Sequence, residues 1–486
     1  MNTMGKKFFI FAFLIFVSML CGNKISAQES SALYFSSQPQ AANYNPSFIQ
    51  GTRSYISLPV ISRVNVSFGT SGFAYNDLVH QHPQYADSLQ MDFDGLLKKL
   101  KKSNSLSFSM NTDIVGVGFK FGEHYFSVGS SFNVETKLGF SKDMFDFIAY
   151  GTRMSSFNVD VLDERLLNLI AYTSTYFGYA REINDQLTLG VRLKMYGGVA
   201  NVETNKSKIK LQFDESDVTA YGDFSLNVST SFGHFKQIST ILSGEEGKFD
   251  FYTNSNTADK ISKSFKNMGF GVDLGATYKL NDQMTFSASI IDFGRITWKS
   301  NTQRIRSKYP GEKFSFSGLE SSHSTIGENI VESFEDIWDS IKYAFDLMVE
   351  DVSSYSTAVP TKIHLGYSWN FQSNMYLDVL YRGRFINSSY ENSLMLNYTL
   401  NIGRMQVSVG NTISSSLFNP ALFLSFGSAF YVGMNFSNSL NVKKANSLGA
   451  YLGLNLAIKN ANSNGHHSKG KKSNLDRAEL QKIKMY

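Results

Sequence analysis

Residues 187–196 read Leu-Thr-Leu-Gly-Val-Arg-Leu-Lys-Met-Tyr, with an apolar side chain at every odd position. A β-strand sends alternate side chains to opposite faces, so this order makes one apolar face and one wet face. The same order returns through most of the chain. Phe270, Val272, Leu274, Ala276 and Tyr278 alternate with Gly271, Asp273, Gly275, Thr277 and Lys279. Ile363, Leu365, Tyr367, Trp369 and Phe371 alternate with His364, Gly366, Ser368 and Asn370. Leu394 to Ile402, Phe430 to Phe436 and Leu448 to Ile458 continue the pattern. Runs of about ten residues suit tilted strands that cross the apolar layer of a bilayer. A long series of them predicts an all-β fold, a transmembrane antiparallel β-barrel that is apolar outside and polar inside.

The N-terminus agrees with that destination. Lys6 and Lys7 precede an apolar run from Phe8 to Leu20, and Ala27 supplies a small residue before Gln28. This predicts a secretory signal peptide over 1–27. Lipidation at Cys21 is the rival reading, and Ser18-Met19-Leu20 fits lipoprotein processing poorly. Cleavage after Ala27 leaves 459 residues without cysteine, which removes disulfides, thiolate metal sites and cysteine nucleophiles from consideration. No segment beyond the signal is apolar for the roughly 18 residues that a transmembrane helix needs.

Charged residues are 18% of the chain and aromatic residues 14%. That balance suits a wall facing lipid with aromatic belts at the headgroups, and suits a soluble multidomain protein less well. The formal charge of +5 falls to +2 once Lys6, Lys7 and Lys24 leave with the signal. Residues 460–486 hold six Lys/Arg against two acidic residues, so the rest of the mature chain is about −2. No basic footprint for nucleic acid remains.

Short polar turns separate neighbouring strands at Gly122-Glu123-His124, Asn184-Asp185-Gln186 and Asn281-Asp282-Gln283. The last two precede matching starts, Leu187-Thr188-Leu189 and Met284-Thr285-Phe286, an echo of hairpin chemistry rather than of a domain repeat. Leu106, Phe108 and Met110 are out of phase with Val115, Val117 and Phe119, which predicts one β-bulge between them. Longer segments at about 70–104, 141–168, 233–267 and 301–361 are expected outside the cell, opposite the periplasmic turns. The count is about 16 strands, or 14 if the ambiguous 201–217 region adds none.

A helix is predicted at about 327–350. Thr325 and Glu328 fit a capping box, and Ile330, Phe334, Ile337, Trp338, Ile341, Phe345 and Met348 recur at helical spacing. Its acidic face (Glu328, Glu332, Glu335, Asp336, Asp339, Asp346) belongs to a helix packed on the rim or to a lid over the pore. The barrel proper is placed at 53–458. The stretch 459–486 reads as a polar, basic periplasmic tail, either solvated or docking a periplasmic partner. His466-His467 alone is a poor metal site.

No catalytic or cofactor motif is present: no Gly-x-Ser-x-Gly elbow, Walker loop, His-Glu-x-x-His or helix–loop–helix calcium loop. The expectation is a non-enzyme with no cofactor and no metal. Candidate functional residues are the charges on the wet face: Arg192, Lys194, Asp273, Asp292, Arg295, Asp378, Arg382 and Arg384. Charges turned into a lumen either pair with each other or select a cargo.

Particular segments carry a resemblance. They are Gln40-Ala41-Ala42-Asn43-Tyr44-Asn45-Pro46-Ser47-Phe48, Tyr55-Ile56-Ser57-Leu58-Pro59-Val60, Gly72-Phe73-Ala74-Tyr75-Asn76-Asp77 and Gly269-Phe270-Gly271-Val272-Asp273-Leu274-Gly275. Most specific is Ser289-Ile290-Ile291-Asp292-Phe293-Gly294-Arg295-Ile296-Thr297-Trp298. Together they resemble a family of outer-membrane barrels of unknown function found in the Bacteroidota, similar in architecture to long-chain fatty-acid transporters. Asn45-Pro46 matches that family's Asn-Pro-Ala segment, with Ser47 in place of Ala. The resemblance implies that residues 28–52 enter the barrel as a plug. The function expected is passive binding or transport of hydrophobic or amphipathic small molecules across the outer membrane of a Gram-negative bacterium, with lipid as the surrounding partner. The alternatives are a non-transport barrel subunit of a secretion, motility or surface-attachment complex, and a secreted soluble β protein.

Overall fold

The computed structural model describes residues 31–49, 53–81, 85, 89–143, 145–146, 158–160, 166–214, 217–237, 249–253, 256, 263, 265–308, 313–317, 347–386, 389–414, 419–437 and 439–459. The proposed signal peptide, the tail from 460 and the predicted helix from 327 to 346 lie outside them.

Fourteen antiparallel strands close into a barrel. Strand β1 comes in two halves, Arg53–Ser57 and Val64–Thr70, and is followed by β2 (Ser103–Phe121), β3 (His124–Ser141), β4 (Leu167–Glu182) and β5 (Leu187–Asp214). Then come β6 (Met268–Asn281), β7 (Met284–Trp298), β8 (Tyr355–Ala358 and Thr361–Gln372), β9 (Met375–Ile386) and β10 (Ser389–Ile402). The last four are β11 (Met405–Ile413), β12 (Pro420–Phe426), β13 (Phe430–Phe436) and β14 (Ser447–Lys459). Each pairs with its neighbours, and β14 returns to both halves of β1.

The alternation sets the two faces of this wall. Leu189, Leu193, Met195, Phe270 and Leu274 are exposed, Phe270 at 69%, while Arg192 between them is 2% exposed. The tight turns gather at one end. Gly122, Gly403 and Gly427 there have φ near +60°, a conformation that disfavours any side chain. Asn184 and Asn281 repeat one device: each side-chain oxygen accepts two backbone N–H groups, from Gln186 and Leu187 and from Gln283 and Met284, at 2.7–2.9 Å. The long connections leave the other end.

Fourteen strands form the ring rather than sixteen because residues 201–214 extend one 28-residue strand, β5, instead of starting a new one. Its lower half pairs with β6, and its upper half pairs with Asp217–Thr230. That returning strand therefore continues the wall above β6 instead of entering the ring. Thr302–Ser307 pairs with it, and Leu347–Asp351 pairs with Thr302–Ser307 in turn. The helix predicted to reach 350 is thus corrected at its end. Residues 347–351 are strand, because their backbone finds a sheet partner at Gln303–Ser307.

The predicted bulge is present, as a register shift between Asp113 and Val115 against β3. Beside it β1 breaks at Leu58–Arg63, where Val60 takes φ 66°. The two irregularities lock together. Val60 N–H donates to the Asp113 carbonyl at 2.9 Å, and Arg63 Nε donates to the Asp113 carboxylate at 2.8 Å. Both side chains are nearly enclosed, so removing one partner strands a buried charge. Asp113→Ala is expected to cost about 3–5 kcal/mol, read as a lower midpoint for the heat-induced mobility shift in detergent. Arg63→Met added to it should recover most of that loss; a double variant as unstable as the single would show that the pair does not fasten the break.

Candidate functional site in the barrel lumen

The lumen is occupied by the chain's own N-terminal segment. Ser31–Tyr34 forms one helical turn and Pro39–Asn43 a 3-10 turn, and Ala32 to Tyr34 and Gln38 to Ala42 are buried. Gln38 Nε2 donates to the Gly427 carbonyl at 2.6 Å, near the tight-turn end. Gln40 and Asn455 exchange amide hydrogen bonds at 2.7 and 3.0 Å. The Tyr34 hydroxyl meets Ser287 Oγ at 2.9 Å, and Ser289 Oγ donates to the Tyr44 carbonyl at 2.6 Å.

Asn45 and Pro46 sit against the inner wall between two glycines. A Cβ on Gly190 would stand 2.3 Å from the Pro46 carbonyl group, and one on Gly275 would stand 2.1 Å from Asn45 Oδ1. Side chains at those two wall positions would therefore displace the segment. Asn45 Nδ2 donates to the carbonyls of Ala276 and Ala288, 3.3 Å each. Its oxygen accepts from Ser47 N–H at 3.0 Å and from Ser47 Oγ at 2.7 Å. Ser47 thus closes a local ring and also reaches Thr277 Oγ1 at 2.7 Å.

Toward the long-loop end, charges span the barrel. Lys194 of β5 contacts Asp273 at 2.8 Å and Asp292 at 2.6 Å. Asp273 also accepts the Asp292 N–H at 2.7 Å, across the bulge that turns Asp292 inward with φ 60°. Lys362 of β8 stands 3.9 Å from Asp292 and 4.0 Å from Glu135 of β3. Glu135 pairs with Arg384 of β9, Arg384 approaches Glu391 of β10 at 4.0 Å, and Glu391 meets Lys137 of β3 at 2.9 Å. In a ring of fourteen strands, β3 and β10 are seven places apart, directly opposite. An ion pair between them means that opposite walls touch. Such a lattice fixes geometry more than it adds stability, because each ion loses water on burial.

The candidates named from the sequence therefore divide. Lys194, Asp273, Asp292 and Arg384 join one network. Arg192 lies beside it, its guanidinium 4.2 Å over the Tyr176 ring and donating to Asn43 Oδ1 at 2.8 Å. Asp378 is separate and accepts from Ser368 at 2.5 Å and Thr399 at 3.1 Å. Arg382 is buried opposite His364. Arg295 is a correction: it faces outward. It is exposed and lies directly across from Phe270, which is on the outer face. The bulge at Asp292 shifts the phase, so Ile296 and Trp298 enter the lumen and Arg295 leaves it. There Trp298 donates to Thr357 Oγ1 at 2.7 Å within a cluster of Ile170, Tyr172, Tyr196, Ile296 and Val359.

Glu135, Lys137, Lys362 and Glu391 complete the lattice and were not among the candidates. Their signal was available, since Asn133-x-Glu135-x-Lys137 and Lys362-x-His364 are wet-face positions of alternating strands. Lys194→Met leaves Asp273 and Asp292 buried together without the cation they share, with Lys362 3.9 Å from Asp292 alone. A loss of about 3–5 kcal/mol is expected from the thermal midpoint in detergent. Adding Asp292→Asn should recover part of it by ending the repulsion; no recovery would count against a coupled triad.

Comparison with known proteins adds the following. The toluene transporter TbuX of Ralstonia pickettii is 11% identical, with 89% of this chain and 94% of that chain covered and a TM-score of 0.37. The toluene transporter TodX of Pseudomonas putida is 9% identical, with 90% and 94% covered and a TM-score of 0.36. A FadL homologue of Pseudomonas aeruginosa is 10% identical, with 90% and 100% covered and a TM-score of 0.37. No curated protein matches the chain. A family of unknown function, DUF5723, matches residues 46–435, from the lumenal proline to β13, and the chain belongs to that family.

Proposed function

We propose that this protein is an outer-membrane barrel of a Gram-negative bacterium, of the Bacteroidota, that binds and passes hydrophobic or amphipathic small molecules. The observation that carries this reading is an apolar sector of the inner wall that the N-terminal segment covers. Leu380, Met395, Phe423, Tyr431 and Tyr451 line it, and Ala32, Leu33 and Tyr34 of the N-terminal segment cover it, with Phe35 and Phe48 packed alongside. A lumen made only for water and ions has no need of such a surface. Here the chain's own apolar side chains occupy the place that a hydrophobic cargo would take, so cargo and segment compete for one surface. Passage requires two openings: release of the segment, and separation of the ion pairs from β3 to β9 and β10. No bond is made or broken in either.

Removing residues 31–36 should raise the affinity of the full barrel for an apolar fluorescent probe such as N-phenylnaphthylamine, and Phe423→Asp should abolish that gain. In liposomes, removing 31–49 should raise the leak of a small dye, and Glu135→Gln with Lys137→Met should raise it further. Failure of the protein to admit any apolar compound from a broad panel, with or without the segment, would sink the transport reading.

A second reading, a barrel subunit of a secretion, motility or surface-attachment assembly, draws on a different feature. The sheet formed by the upper half of β5, Asp217–Thr230, Thr302–Ser307 and Leu347–Asp351 raises one side of the wall beyond the ring. Crosslinking from this sheet and from residues 459–486 separates the two readings, since a transporter needs no stable partner there.

A further inference from the structure

The lumen holds a polar cavity of about 40 Å³ between the N-terminal segment and the ion-pair lattice. That is room for two or three waters and far less than the roughly 150 Å³ that takes a benzene ring. Arg63, Arg192, Lys194 and Lys362 face it, against Asp292 as the one carboxylate in its lining. Followed through every ion pair these cations join among the described residues, to Asp113, Asp273, Glu135, Arg384, Glu391 and Lys137, the network has six cations against five acids.

The surplus lies at Arg192. Its cross-strand neighbour is Asp273, the obvious partner. That carboxylate is taken by Lys194 at 2.8 Å and by the Asp292 N–H at 2.7 Å. Among the described residues no carboxylate lies within ion-pair distance of Arg192; its contacts are the Tyr176 ring and the Asn43 amide oxygen. A guanidinium that is 2% exposed and has no carboxylate within ion-pair distance is costly. A second group points to the same place. Ser174 lines the cavity, is 3% exposed, and its buried hydroxyl oxygen has no hydrogen-bond partner.

We infer that this cavity is a binding site for a small monoanion, a halide or a single carboxylate, held between the Arg192 guanidinium and the Ser174 hydroxyl. The anion neutralises the surplus cation and uses the idle donor. Its seat touches Asn43, two residues before Asn45-Pro46, so it also fastens the N-terminal segment to the wall. The inference does not depend on the transport reading, because a sealed scaffold would need the same counter-ion.

The test uses the full-length protein in non-ionic detergent with sodium gluconate, whose hydroxylated carbon beside the carboxylate is too bulky to let the head enter. Replacing gluconate by chloride, bromide or formate at constant ionic strength should raise the thermal midpoint by roughly a few degrees, saturably. Arg192→Gln should remove the response, and Ser174→Ala should weaken the apparent affinity several-fold while leaving a folded barrel. Bromide-soaked crystals should show an anomalous peak beside Arg192. Octanoate identifies the source. Saturation far below the formate concentration means that the site takes the head of an amphiphile, and equal concentrations mean a free anion. A midpoint that ignores the exchange, or an Arg192→Gln protein that responds like the wild type, overturns the proposal.

Discussion

Backbone amides have no partner in lipid, so a sheet placed there must close on itself. Everything else in this structure follows from that ring. Fourteen strands enclose more space than their inward side chains fill with simple packing, and the chain meets the excess in three ways. It threads its own N-terminal segment into the lumen, it lets charged side chains reach across from β3 to β9 and β10, and it uses bulges to turn bulky residues inward. Each device places polar atoms where water is scarce, which explains why so many are paired.

The wall was legible because its signal is simple. A period of two with one face apolar survives in the sequence wherever that face turns away from the lumen, and the outward sets from Leu187 to Met195 and from Phe270 to Tyr278 are indeed the outer face. The bulge at Asp113 was legible for the same reason, as a visible phase slip. The bulge at Asp292 was missed, although Ile290 and Phe293, both outward and three residues apart, record it. Alternation carried straight through that bulge puts Arg295 on the inner face, and the phase shift turns it outward. The extra strand pair near 201–217 was harder still. Length and alternation cannot say whether a hairpin enters a ring or stands above it, because the same backbone pairing serves both.

The interior was legible only as a sum of charges. Sequence order shows which residues turn inward, but pairing across a barrel joins residues with no sequence relation, such as Lys137 with Glu391 and Glu135 with Arg384. It shows local opposition and not competition. Arg192 and Asp273 are direct cross-strand neighbours, yet Lys194 and a backbone N–H outbid the guanidinium for that carboxylate. The apolar sector under Leu33 and Tyr34 is likewise scattered over β9 to β14 and has no local signature.

The exchange of amide hydrogen bonds between Gln40 and Asn455 bridges 415 positions of the chain. Because β14 supplies Asn455 and also seals the ring against β1, that exchange is topologically a bolt drawn by the final strand. The N-terminal segment therefore completes its seat only once the last strand is in place. Contacts of such long range are slow to form. For this barrel, the strand that seals the ring also supplies the partner that holds its contents, so closure and filling share one element.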